Sequence, residues 1–125
     1  MKLSHLALRI SDPARSVEFY QRLGFNQSRE LALKHLKTTL IFMEGGNGLE
    51  LELVHNRENS HPPEIKDGFL HLGLRVQGME VYLEKLSGFG IKPLRPVFTT
   101  PDGMKICFLT DPDGYQLELT EPPQP

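Results

Sequence analysis

The chain has 125 residues, which is enough for one domain with a sizeable buried core. Its 38% apolar and 24% charged residues are typical of a soluble globular protein, and a formal net charge of −2 gives no reason to expect binding to nucleic acid or to an anionic membrane. No apolar run reaches the roughly eighteen residues that a membrane span needs. A single cysteine, Cys107, excludes an intramolecular disulfide, and a strand-like segment follows Met1 directly. We therefore expect a cytoplasmic protein without a signal peptide.

The first half of the chain predicts the element order β-α-β-β-β. Leu3–Ile10 alternates apolar and polar residues, which is typical of a half-buried strand. Asp12 and Pro13 predict a helix start, as N-cap and first helical residue, and Gly24 predicts its end. Three further strands are predicted, with a glycine-rich turn at 44–48 before the last: residues 30–33, 38–43 and 49–54.

The second half of the chain predicts the same order. A strand is expected at Phe69–Val76 and a helix at Met79–Leu86. The next strand, Lys92–Phe98, contains Pro93 and Pro96, which suits the edge of a sheet because proline cannot donate to the ladder. Two last strands are expected on either side of a tight turn at 111–114: residues 105–109 and 115–120.

The two halves are copies of one pattern. The segment beginning at His5 returns 66 positions later at His71, and the strand carrying Glu52 returns at the same offset with Glu118. This period exceeds the roughly 20–50 residues of a solenoid repeat. The pattern therefore predicts one domain, residues 1–125, built from a duplicated module. Module 1 covers about 1–56, a polar connector covers 57–67, and module 2 covers about 68–121.

Strand alternation singles out four side chains as candidate metal ligands. Glu52, His71 and Glu118 each lie between two leucines, and His5 alternates with Leu6 and Leu8, so all four project from the face opposite these leucines. A single histidine or glutamate on a solvent-facing strand is ordinary. Packing explains why leucines repeat, but it does not require exposed glutamates to repeat with them. Imidazole and carboxylate donors suit Zn, Ni, Co, Fe or Mn, so the repeated set predicts a site for such a metal.

At these residues the sequence resembles the vicinal oxygen chelate superfamily, and within it glyoxalase I (lactoylglutathione lyase). The resemblance covers nearly the whole chain, and the segments that carry it are residues 5–10, 19–25, 52–56, 68–76 and 111–119. The resemblance implies an α+β fold in which two tandem βαβββ modules form cupped mixed sheets around a metal, the glyoxalase/bleomycin resistance/dioxygenase fold.

The ligand set distinguishes among members of this superfamily. Extradiol dioxygenases and fosfomycin-modifying enzymes use two His and one Glu, and methylmalonyl-CoA epimerases carry Gln at the position of Glu52. Antibiotic-sequestering members lack the metal set. Two His with two Glu is the glyoxalase I pattern.

The implied reaction converts the hemithioacetal of methylglyoxal and glutathione to S-lactoylglutathione. By resemblance, His5, Glu52, His71 and Glu118 bind a divalent metal, with Ni or Co favoured and Zn or Mn possible. Glu118 is the implied catalytic base, and Glu52 serves the opposite face of the substrate. In bacterial-type members the site forms between the subunits of a homodimer, with His5 and Glu52 from one chain and His71 and Glu118 from the other.

The resemblance also implies that glutathione is a co-substrate. Arg9 and Asn56 match positions that hold its γ-glutamyl part, whereas Lys66 and Lys105 lie near the loops whose basic residues bind its glycyl carboxylate. Two alternatives stay open. The chain is similar to metalloenzymes of the superfamily that act on another thiol or on no thiol, and to members of the same fold that bind a small molecule without catalysis.

Overall fold

A four-stranded mixed sheet with one helix forms each half of the chain. The computed structural model describes residues 1–66 and 68–125, and its contacts divide it into two units, Met1–Glu64 and Ile65–Pro125. Both units have the order β-α-β-β-β, so the predicted α+β class and the duplicated module are confirmed. In the connector predicted at 57–67, Asp67 lies outside the described residues. The proposed module boundaries within one domain stay a prediction.

The sheet of the first unit has the strand order β1-β4-β3-β2, with β1 parallel to β4 and the other neighbours antiparallel. Its elements, with a short 3-10 turn at Gly46–Gly48 before the last, are β1 Leu6–Arg9, α1 Pro13–Leu23, β2 Asn26–Leu33, β3 Thr38–Glu44 and β4 Glu50–Asn56. Strand β2 begins four residues earlier than the sequence predicts. Its first residues are polar and exposed, so no apolar alternation marks the start.

The second unit repeats this sheet with the strand order β5-β8-β7-β6, and β5 is parallel to β8. Its elements are β5 Leu72–Arg75, α2 Met79–Ser87, β6 Phe98–Thr99, β7 Lys105–Thr110 and β8 Gln116–Glu121. The predicted strand Lys92–Phe98 is wrong, because only Phe98 and Thr99 pair with β7. Pro93 and Pro96 have no N–H to donate, although Leu94 between them still donates to the carbonyl of Phe108 at 2.9 Å.

Helix α1 begins and ends where the sequence predicts. The Asp12 side chain accepts a hydrogen bond from the backbone N–H of Arg15 at 3.2 Å, and Pro13 occupies the first turn. Gly24 has a φ of 116°, a conformation that glycine adopts without strain, and its N–H donates to the carbonyl of Gln21. No helix within residues 1–66 and 68–125 is long and apolar enough to cross a membrane.

Helix α2 receives its cap from the other end of the unit. Gly78, 66 positions after Asp12, has no side chain to cap the helix. Instead the carboxylate of Glu121, at the end of β8, accepts hydrogen bonds from the backbone N–H groups of Gly78 and of Met79, the latter at 3.3 Å. These bonds, chiefly the one from Gly78, hold the pKa of Glu121 below its ordinary value. Lys105 lies 3.7 Å from the same carboxylate.

Replacing Glu121 by Gln should therefore lower the melting temperature at pH 7 by about 4 °C, the size of effect expected when a helix cap is lost from a domain of this length. Because the pKa is lowered in the folded state, this stabilisation is complete above the ordinary value of 4.5 and disappears as the pH falls through the folded value. Thermal unfolding followed by circular dichroism from pH 7 to pH 3 would show the two proteins converging in acid.

The matched control is Glu80→Gln, which removes the exposed carboxylate that pairs with Lys105 at 3.1 Å and leaves the cap intact. We expect it to change the melting temperature little, since exposed ion pairs contribute little. Equal shifts for the two variants would contradict the capping role of Glu121.

Candidate active site

Each sheet brings one histidine and one glutamate together. In the first unit, His5 Nε2 lies 3.0 Å from Glu52 Oε2, and in the second unit His71 Nε2 lies 3.2 Å from Glu118 Oε2. We call these the first and the second His–Glu pair. The four side chains are between 16% and 38% exposed, so solvent and small ligands can reach the donor atoms.

Strand pairing explains why these residues meet. Ala7 is directly opposite Glu52 in the parallel β1–β4 ladder, and His5 precedes Ala7 by two residues, so both side chains lie on one face. Gly73 is opposite Glu118 in the same way, two residues after His71. The leucines that flank each glutamate are completely buried on the other face: Leu51, Leu53, Leu117 and Leu119. A buried apolar face fixes the register and hence the direction of each carboxylate.

The donor atoms fit a divalent metal. Two donors bound to one octahedral ion at about 2.1 Å lie about 3.0 Å apart when they are neighbours, and about 3.4 Å apart in a tetrahedral shell. Both observed separations fall in this range. Among residues 1–66 and 68–125, no group of three or more His, Cys, Asp or Glu side chains forms a metal cluster. We call each His–Glu pair a candidate half-site, because its two donor atoms could serve as ligands of one metal ion.

The two half-sites hold their histidines differently. His5 Nδ1 lies 2.8 Å from Ser4 Oγ, a hydrogen bond that orients the ring and leaves Nε2 toward Glu52. The position 66 residues after Ser4 is Leu70, which has no hydroxyl. His71 instead packs edge-on against Phe108, with ring centroids 5.7 Å apart. Sequence reasoning missed Ser4, whose only signal is a hydroxyl beside the histidine.

The residues predicted to hold glutathione lie on the face of the first His–Glu pair. Arg9 is opposite Val54, and Glu52 and Asn56 lie two residues before and after Val54, so all three side chains share that face. The Asn56 Oδ1 accepts hydrogen bonds from the backbone N–H groups of Glu58 at 3.0 Å and Asn59 at 3.2 Å. Because its oxygen is used in this turn, the amide nitrogen is the group that could donate to a substrate.

Lys105 does not fit the carboxylate-binding role expected of it. It is opposite Glu121 in the β7–β8 ladder, three residues along β8 from Glu118 and thus on the other face of the sheet. Its ammonium group pairs with Glu80 on α2, and this contact is the main cause of its raised pKa. Lys66 is exposed and borders Asp67, which the structure does not describe.

Two duplicated βαβββ sheets define the class of protein, and in each a His–Glu pair lies on the face opposite the buried leucines that flank its glutamate. Residues 2–119 match the Glyoxalase/Bleomycin resistance protein/Dioxygenase superfamily, and the chain belongs to this family. The family resemblance seen in the sequence is thereby confirmed.

Several relatives narrow the comparison further. The chain is 32% identical to a probable lactoylglutathione lyase of Synechocystis, over 97% of this chain and 95% of the relative. It is equally identical to the lactoylglutathione lyase of Escherichia coli O157:H7, over 97% and 93%. The structure of glyoxalase I from Zea mays superposes with a TM-score of 0.87 at 25% identity, covering 98% of this chain and 45% of the maize chain. The chain is therefore similar, in sequence and in fold, to enzymes of the glyoxalase type.

Proposed function

We propose that the protein is a cytoplasmic, metal-dependent glyoxalase I-type isomerase that converts the hemithioacetal of methylglyoxal and glutathione to S-lactoylglutathione. The observation that carries this proposal is the repeated His–Glu pair, with donor atoms 3.0 and 3.2 Å apart, on the face of each sheet opposite the buried leucines that flank its glutamate. The relatives at 32% identity are named lactoylglutathione lyases, which supports the same reaction.

In this proposal His5, Glu52, His71 and Glu118 hold one divalent ion, with Ni or Co favoured and Zn or Mn possible. The bound metal would act as a Lewis acid that stabilises the two adjacent oxygens of an enediolate. The chain's contribution is rigidity: the glutamates lie on central strands with buried leucines on either side, so their carboxylates are held before substrate arrives.

The acid–base steps fall to the glutamates. Glu118 takes the proton from C1 of the hemithioacetal, which leaves the enediolate, and the proton is then returned at C2. No external oxidant or reductant is needed, because one proton moves from C1 to C2 and the hydroxyl proton moves from the oxygen on C1 to the oxygen on C2. Glu52 is related to Glu118 by the internal repeat and serves the opposite face of the substrate. Arg9 and Asn56 bind the γ-glutamyl part of glutathione from the face that they share with Glu52.

We further propose that the active form is a homodimer in which the first His–Glu pair of one chain joins the second pair of its partner. Support comes from the ligand count, since each pair offers two donors whereas the glyoxalase I pattern uses four. Within the described part of the chain, no larger cluster of such donors occurs.

One observation favours a second candidate, a related metalloenzyme that uses another thiol. Lys105, an expected partner of the glycyl carboxylate, lies on the opposite face of its sheet from Glu118. The metal half-sites do not depend on the identity of the thiol. A non-catalytic binding protein of the same fold is disfavoured by the presence of both complete His–Glu pairs.

The proposal is tested by measuring hemithioacetal isomerisation with methylglyoxal and glutathione. Protein stripped with a chelator should be inactive and should regain turnover when reloaded with Ni or Co. Turnover is also measured after separate reloading with Zn and with Mn, and the metal that gives the highest turnover identifies the metal class of the enzyme. Metal uptake without turnover would contradict the glutathione reaction and favour another thiol. Failure to bind any of the four metals would contradict the enzyme proposal and favour a binding protein.

Replacing Glu118 by Gln should lower kcat about 1,000-fold, because loss of a general base typically costs 10²- to 10⁴-fold. The amide still offers an oxygen donor, so the variant should retain metal, measured by elemental analysis after gel filtration. The matched control is Glu84→Gln on the exposed side of α2, which should leave kcat unchanged. Turnover of Glu118→Gln near the wild-type rate would exclude Glu118 as the base.

Mixing two inactive variants tests the shared site. One variant carries His5→Ala and Glu52→Ala, and the other carries His71→Ala and Glu118→Ala. If each site takes one pair from each chain, a mixed dimer contains one site with all four ligands intact and one with none. Unfolding and refolding the two variants together should restore about a quarter of wild-type activity and metal content, since half of the dimers are mixed. No restoration, with mixed dimers present, would exclude a site shared in this way.

A further inference from the structure

An arginine stacks on a phenylalanine in each unit. The guanidinium carbon of Arg29 lies 3.8 Å from the centroid of the Phe42 ring, and that of Arg95 lies 5.2 Å from the centroid of Phe108. Arg95 follows Arg29 by 66 positions, and Phe108 follows Phe42 by 66. The stacked pairs therefore repeat with the same offset as the His–Glu pairs, although sequence reasoning did not single them out.

Strand register connects each stack to a half-site. In the first unit, Arg29 is opposite Phe42, and Phe42 is opposite Glu52. Residues directly opposite one another in a ladder share a face, so the cation and the carboxylate project from the same side of the sheet. Since neighbouring strands are about 4.8 Å apart, the Cα atoms of Arg29 and Glu52 are separated by roughly 10 Å.

The second unit has the same arrangement, except that its arginine lies outside the edge strand β6. Phe108 is opposite Glu118 in the β7–β8 ladder, and its ring packs against His71. Leu94 donates to the carbonyl of Phe108 at 2.9 Å, which holds the neighbouring Arg95 beside β7 although the prolines around it prevent a regular strand. A cation thus lies two strands away from the glutamate in both units.

No carboxylate among the described residues neutralises either cation. Arg29 and Arg95 are exposed, and within residues 1–66 and 68–125 neither forms an ion pair with a carboxylate. By contrast, Arg22 on α1 pairs with Glu18. A guanidinium over a ring can still donate from N–H groups that point away from the ring, and these groups match the two oxygens of a carboxylate.

We propose that Arg29 and Arg95 bind carboxylate groups of the substrate and make the site selective for acidic thiol adducts. The inference rests on the proposed function and extends it to specificity. A substrate whose reacting carbons lie at a His–Glu pair reaches the arginine if its acidic end is about 10 Å away. This is the span of about three extended residues, so a short acidic peptide thiol such as glutathione has the right length.

Binding of S-methylglutathione and of its diethyl ester separates this role from packing. The first ligand carries two carboxylates, and the ester carries none. In the double variant Arg29→Met/Arg95→Met, an unbranched apolar side chain still covers each ring, but the charge is gone. We expect affinity for the acid to fall at least tenfold, the usual cost of losing a charge-assisted hydrogen bond, whereas affinity for the ester changes less than about twofold.

Isothermal titration calorimetry on metal-stripped and on nickel-loaded protein gives this readout without turnover. The variant Arg29→Lys/Arg95→Lys keeps the charges but loses the paired N–H donors, so it should recover only part of the affinity for the acid. Arg22→Met, on α1, is the matched control and should bind both ligands like wild type. The single variants Arg29→Met and Arg95→Met show which arginine contributes. If one of them loses as much affinity for the acid as the double variant, only that arginine binds the carboxylate.

Two results would overturn the proposal: unchanged affinity of the double Met variant for the acid, or an equal loss for the acid and the ester. The outcome is separate from that of the proposed reaction. Charge-selective binding without metal-dependent turnover would remove the reaction and leave the arginine role standing. Metal-dependent turnover without charge-selective binding would support the reaction and exclude the arginine role. If neither is observed, both proposals are excluded.

Discussion

Parallel pairing of the first and last strand of each unit is the constraint on which the site depends. Glu52 and Glu118 each lie opposite a small residue, Ala7 or Gly73, and each histidine lies two residues before that position. A slip of one residue in either ladder would turn the glutamate toward the buried leucines and expose those leucines to water. The free energy that fixes the register therefore comes from apolar burial, and the direction of the ligands follows from it at no further cost.

The duplication preserves the side chains around each glutamate, whereas the source of the helix cap has changed. On the ligand face, the histidine, glutamate, phenylalanine and arginine all recur at an offset of 66 residues. On the helix face, the cap provided locally by Asp12 in the first unit is replaced by Glu121 from a distant strand in the second. A helix needs only an acceptor at its first turn, so its source can change. A metal shell and a substrate need a fixed set of donors.

Much of the fold could be predicted from the sequence because its signals are local. Asp12, Pro13 and Gly24 give the ends of α1, and alternating leucines identify the strands that carry the glutamates. The strand predicted at Lys92–Phe98 does not form, because Pro93 and Pro96 have no N–H to donate to the ladder with β7.

Only part of the site could be predicted from the sequence, because some of its contacts depend on strand register and not on a local pattern. The repeat offset points to the histidines and glutamates, whose metal role stays a prediction. The Arg29–Phe42 stack depends on a ladder whose register shifts between Gln27 and Arg29, and no local pattern gives that pairing. Lys105 was misplaced because nearness in sequence to a loop does not determine the face of a strand.

The origin of the second helix cap has a consequence for the order of events during synthesis. Asp12 and the amide that it caps are three residues apart, so α1 is complete soon after it leaves the ribosome. Glu121 and Gly78 are 43 residues apart, so the cap of α2 can form only after β8 has been made. The first unit can therefore close while the chain is still growing, whereas α2 must wait for β8. Until then the second unit lacks the strand that carries Glu118, and the edge of β7 that later pairs with β8 has no partner strand there.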